Sequence, residues 1–134
     1  MNMTTQAKSR SAWIAGLASA LALAVLVPHV VSSSFDDTRE IHLVVRDMTY
    51  YIDGHDVPNP TLYVRRGERI RIRLTNRDLG MSHDFGVRAW QRGTGLIDGP
   101  GEAAVEFVAP KAPGEETYSC TPHGEMMRGT IRIE

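Results

Sequence analysis

Hydrophobic positions follow two different rhythms along this chain. Residues 12–31, AWIAGLASALALAVLVPHVV, are almost wholly apolar and carry no acidic or basic side chain except His29. From residue 40 onward the apolar positions come in short runs broken by turn residues. Arg69, Ile70, Arg71, Ile72, Arg73 and Leu74 alternate strictly. A period of two sets Ile70, Ile72 and Leu74 on one face and the arginines on the other, which predicts a half-buried strand. Residues 40–46, 48–52 and 61–64 are rich in β-branched and aromatic side chains and read as strands too. Asp53-Gly54 and Pro58-Asn59-Pro60 supply turns between them. Residues 103–108 alternate again, and residues 116–120 and 129–133 close the chain as strands. The glycine- and proline-rich stretch 93–101 reads as a loop. Short strands with turns between them predict an all-β sandwich or small barrel. The arginine face reads as a solvated strand face that also discourages edge-to-edge pairing.

Residues 1–34 read as an export or anchoring segment with a short linker, and residues 35–134 as one β-domain. Lys8 and Arg10 precede the apolar run, and Ser32-Ser33-Ser34 follow it. A charged flank ahead of an apolar core is the export signature. The run reaches the roughly 20 residues that span a bilayer as a helix. A cleaved signal usually has a shorter core, about 7–15 residues. Pro28 and His29 shorten the best part of the run, and Val31-Ser32-Ser33 offers a weak cleavage site. The expectation is one N-terminal hydrophobic helix, either retained as a membrane anchor or cleaved as a signal peptide. In both cases Lys8 and Arg10 stay cytoplasmic. The β-domain then lies outside, in the periplasm or on the outer face of the cytoplasmic membrane.

Composition narrows the function classes. The chain has 134 residues, 42% hydrophobic and 23% charged, ordinary values for a globular protein. A formal net charge of −1 is too weak and too mixed for nucleic-acid binding, which needs a concentrated basic face. Cys120 is the one cysteine, so it makes no internal disulfide. It is a buried small hydrophobe, a reactive thiol or a metal ligand.

Its neighbours bear on that choice. Cys120-Thr121-Pro122-His123-Gly124-Glu125-Met126-Met127 puts a thiolate, an imidazole and a thioether into one loop between two strands. Soft sulfur plus imidazole suits copper, zinc or iron. Structural zinc commonly takes two or more cysteines and an iron–sulfur cluster takes several, so a lone cysteine argues against both. One Cys, two His and a weak axial Met form the blue-copper ligand set. His83, between the polar turn 76–82 and Asp84-Phe85-Gly86-Val87, is the best candidate for the second histidine. His29 lies in the apolar run, and His42 and His55 read as ordinary surface histidines.

This segment resembles the small blue copper proteins, the cupredoxins, of the plastocyanin, pseudoazurin and amicyanin kind. Cys120-Thr121-Pro122-His123 is shared in form with the last two. Pro60-Thr61-Leu62-Tyr63-Val64-Arg65-Arg66-Gly67-Glu68, the spacing from Asn76 to His83, and Pro113-Gly114 leading to Tyr118-Ser119-Cys120 are similar to the same family. The resemblance covers roughly residues 40–134. It implies an eight-stranded Greek-key β-sandwich holding one type 1 copper ion at one end. It implies His83, Cys120 and His123 as ligands, with an electron exit at His123 ringed by Met81, Pro122 and Met126. The family frame Met-x-Gly-x-aliphatic matches Met127-Arg128-Gly129-Thr130-Ile131 and points to Met127 as the axial ligand. Met126 matches a shorter spacing instead. The chain departs from many relatives at Asp84, where they have Asn. An aspartate there can accept a hydrogen bond from Thr121 or Ser119. As a carboxylate near the centre it also favours the oxidised state.

The function implied is one-electron transfer, cycling Cu(I) and Cu(II) between extracytoplasmic redox partners such as cytochromes or a copper/haem oxidoreductase. The expected state is a monomer. A copper chaperone or buffer could use the same ligands, and Glu125 keeps open a red-copper, nitrosocyanin-like variant. An enzyme is not expected. Catalysis needs an open coordination position or a second metal, and no second histidine-rich cluster is present. A binuclear copper centre needs a second cysteine.

Overall fold

The computed structural model describes residues 37–134. The segment 1–34 and its expected helix lie outside the described residues. Alternation dictates the first sheet. In β4 (Arg69–Asn76) the side chains of Ile70, Ile72 and Leu74 are wholly buried. Removing each from water stabilises the fold by about 1.5–3 kcal/mol. β4 sits between β1 (Arg39–Arg46) and β9 (Gly101–Val108), and β2 (Thr49–Ile52) completes the order β2-β1-β4-β9. β1 runs parallel to β4, with Leu43 beside Leu74, and β9 runs antiparallel, with Phe107 beside Ile70.

The second sheet takes the order β3-β11-β10-β6-β7. Its strands are β3 (Leu62–Val64), β6 (Gly86–Val87), β7 (Arg92–Gly93), β10 (Gly114–Ser119) and β11 (Arg128–Ile133). Between β2 and β4 the chain crosses to this sheet to make β3, parallel to β11. Leu62, Phe85, Tyr118, Ile131 and Ile133 from this side meet Leu43, Val45 and Ile72 from the first sheet in one core. The described residues form an all-β sandwich.

Two expectations change. The region read as a loop holds the end of β7 and β8 (Ile97–Asp98), which pairs with β5 (Ser82–His83) as a separate ribbon. With these two-residue pieces the described residues form eleven strands rather than eight. A two-residue strand has no period to read; only its partner makes it a strand. The arginine face does not guard an edge either, because β4 is interior. Arg71 pairs with Glu40 and Glu106 at 3.3 and 2.9 Å, and Arg73 with Glu40 at 3.0 Å. The face is a cross-strand ion ladder, each exposed pair contributing at most about 1 kcal/mol. Among the described residues no helix is long and apolar enough to cross a membrane.

An aromatic group fills one end of the core. Tyr118 stacks on Phe85 at 5.2 Å and meets Tyr50 edge-on at 5.3 Å. Their hydroxyls are satisfied: Tyr118 donates to the Pro60 carbonyl at 2.6 Å, and Tyr50 donates to the Asp84 carbonyl. Burial pushes both phenols well above the usual range, so they remain donors. Through Asp84 and Tyr118 this group lies directly under the candidate site.

Candidate metal centre

Two loops converge at this end of the sandwich. His83 arrives on β5, whose position is set by a wholly buried amide, Asn76, at the end of β4. The Asn76 NH2 donates to the carbonyls of Met81 and Ile97 at 2.7 and 2.9 Å. Its carbonyl accepts the Asp78 N–H at 3.0 Å. One side chain thus ties β4, the turn after it and β8. Cys120 follows the last residue of β10 and is 1% exposed. The loop from Cys120 to Met127 closes on itself. The Cys120 N–H donates to the Met127 carbonyl at 3.0 Å, and the His123 carbonyl accepts the N–H groups of Met126 and Met127 at 3.0 and 2.9 Å.

The side chains meet as a triangle. Cys120 Sγ lies 3.7 Å from His83 Nδ1 and 3.6 Å from His123 Nδ1. The two Nδ1 atoms are 3.2 Å apart. Among the described residues this is the one group of three such side chains whose ligand atoms all lie within 4.8 Å of one another. Metal–nitrogen bonds of about 2.0 Å and metal–sulfur bonds of about 2.3 Å give triangle edges of this size. One thiol with two imidazole nitrogens, a soft and borderline set, fits one copper ion. Beside it Met127 is wholly buried in the core, whereas Met126 is 58% exposed. The Glu125 side chain, 97% exposed, points away into solvent and pairs with Arg128. His42 is half-buried against Thr75 and His55 is exposed.

Two carboxylates flank the triangle. Asp84 accepts the Thr121 N–H and the Thr121 hydroxyl, both at 2.6 Å, joining the segments that carry His83 and Cys120. Thr121 is thus the donor, not Ser119. Asp78 Oδ2 lies 3.0 Å from His83 Nε2. Its oxygens also accept the N–H groups of Asp47 at 2.7 Å and Met48 at 2.9 Å. Desolvation disfavours the charged form of Asp78. The two backbone donors and His83 outweigh it and hold the carboxyl below its ordinary range. Burial pushes the Cys120 thiol up, opposed in part by the N–H groups of Asp84 and His123. Reading the sequence picked out Asp84 and missed Asp78. Asp78 stands five residues before His83 in an irregular turn, where spacing says nothing about which way a side chain points.

No protein-family profile matches the chain, and no curated protein does. Solved structures do. Auracyanin B is 17% identical with a TM-score of 0.57, covering 72% of this chain and 88% of its own. Auracyanin A, a "blue" copper protein from the green thermophilic photosynthetic bacterium Chloroflexus aurantiacus, is 19% identical with a TM-score of 0.55, covering 72% and 99%. The fold is that of the cupredoxins. A chain of a haem-copper terminal oxidase dimer shares it too, at 16% identity and a TM-score of 0.58, covering 73% of this chain and 65% of that one. In this cupredoxin fold His83, Cys120 and His123 gather where β5 and the β10–β11 loop meet.

Proposed function

We propose that this cupredoxin-fold chain is a one-electron carrier built on a single type 1 copper site. His83, Cys120 and His123 are its strong ligands and Met127 its weak axial one. The observation that carries this reading is the convergence of a thiol and two imidazole nitrogens within 4.8 Å. Burial favours Met127 over Met126 for the fourth place. Copper bound there would supply a Cu(I)/Cu(II) couple. The chain's own residues do the remaining work. His83, Cys120 and Met127 keep water out, and Asn76 with the His123 carbonyl bonds holds the ligand loops in place. His123 is only half-buried, so its ring edge is the route for an electron to the surface, with exposed Pro122 and Met126 beside it.

The carrier works between extracytoplasmic partners such as cytochromes or a copper/haem oxidoreductase, with residues 1–34 as its export or anchoring segment and residues 35–134 as a monomeric domain. An open groove of about 960 Å³ runs beside Cys120 and His123 and is lined by Arg88 and Arg92. Neither arginine has a carboxylate partner among the described residues, which suits a partner with an acidic docking face. Copper titration of the purified protein tests the function. An intense blue band from Cys-to-copper charge transfer is expected, absent from Cys120→Ser. A colourless or red copper protein would overturn the carrier.

A further inference from the structure

The two nitrogens of the His83 ring have different surroundings. Nδ1 faces Cys120 Sγ and His123 Nδ1, while Nε2 lies 3.0 Å from Asp78 Oδ2. An ionised carboxylate only accepts, so Nε2 carries the hydrogen and Nδ1 presents a bare lone pair to the centre of the triangle. Asp78 is itself held from behind. Its two backbone donors, Asp47 and Met48, have φ of 51° and 55°. They form the left-handed pair of the tight turn joining β1 to β2. The Asp78 side chain is 14% exposed. No arginine or lysine among the described residues pairs with it.

We propose that Asp78 is a positioning residue of the metal centre, one that fixes the tautomer and orientation of His83 and sets a negative charge one imidazole away from the ion. The proposal rests on the copper reading above and extends it. Ligating histidines gain basicity and a fixed orientation from such a partner. A nearby negative charge that no lysine or arginine neutralises favours the more positive, oxidised centre. Asp84 acts in the same direction from the Thr121 side. The structure therefore assigns this chain a reduction potential lowered by its own carboxylates, with the β1–β2 turn as part of the device.

Two variants separate charge from position. Asp78→Asn keeps an acceptor oxygen and removes the charge; Asp78→Ala removes both. In the metal-free protein, nitrogen-15 spectra of the His83 ring report the tautomer. The wild type is expected to show Nε2–H and the alanine variant a mixture. In the copper-loaded protein, the asparagine variant keeps its absorption spectrum and shifts the reduction equilibrium toward Cu(I) by about tenfold, which is about 59 mV upward. The alanine variant loses about 10–100-fold in copper affinity. An Nδ1–H tautomer in the wild type overturns the proposal. So does wild-type potential and affinity in both variants, even with a lowered melting temperature, since that pattern marks a scaffold residue. A wild type that takes up no copper would defeat the carrier reading, and the tautomer measurement would still decide the positioning role.

Discussion

Adjacent residues of one chemistry meet opposite fates at this site. Met127 turns its side chain into the core while Met126 is 58% exposed, its carbonyl accepting the Asn59 NH2 at 3.1 Å. Leucine has nearly the volume of methionine, so Met127→Leu should cost less than about 1.5 kcal/mol in packing. It nevertheless removes a thioether. The expected result is a changed potential and visible spectrum in Met127→Leu and neither change in Met126→Leu, read by spectroelectrochemistry. The reverse pattern would favour Met126 over Met127 as the proposed weak ligand. Asp84 shows the same dependence on detail. It faces two donors on Thr121, and a carboxylate has two acceptor oxygens where an amide has one. An aspartate at this position is matched to this pair.

The β10–β11 ladder decides where the ligand loop begins and ends. Tyr118 lies opposite Gly129 and Ser119 opposite Arg128, so Cys120 and Met127 leave the ladder as neighbours. Glycine is required at 129 by a close approach. A Cβ there would stand 2.3 Å from the Tyr118 hydroxyl oxygen. The ring has nowhere to step, because Phe85 and Tyr50 pack against it and Pro60 holds its hydroxyl. Gly129→Ala should therefore destabilise the metal-free domain by about 1–3 kcal/mol, the usual penalty of overpacking. Urea unfolding measures it, and a midpoint equal to wild type would contradict the packing argument. Copper affinity should fall with it, since Met127 immediately precedes the displaced strand.

For the whole molecule the distribution of charge matters more than its sum. Arg71 and Arg73 of the β4 face are neutralised across strands, whereas among the described residues Arg88 and Arg92, beside the loop 120–127, have no carboxylate partner. Steering by exposed charge is screened within about 10 Å at 0.1 M salt. Electron exchange with the anion hexacyanoferrate should therefore slow as salt rises, and the slope should reverse in an Arg88→Glu/Arg92→Glu variant once rates are compared at equal driving force. Stopped-flow kinetics across ionic strength check this; a slope indifferent to the two arginines would remove the groove from the docking account.

The sequence by itself determined whatever is local. Strands long enough to show a period of two were legible from it, because alternation encodes which side faces the core. So was the chemistry of residues 120–127, because thiol, imidazole and thioether lie within one loop. A period does not say which strand lies alongside. Only the tertiary structure made β4 an interior strand, turned 82–83 and 97–98 into a ribbon, and brought His83 to a cysteine 37 residues away. Asp78 was legible only there too, since its aim depends on a buried amide, a left-handed turn and a histidine that meet in space and not in sequence.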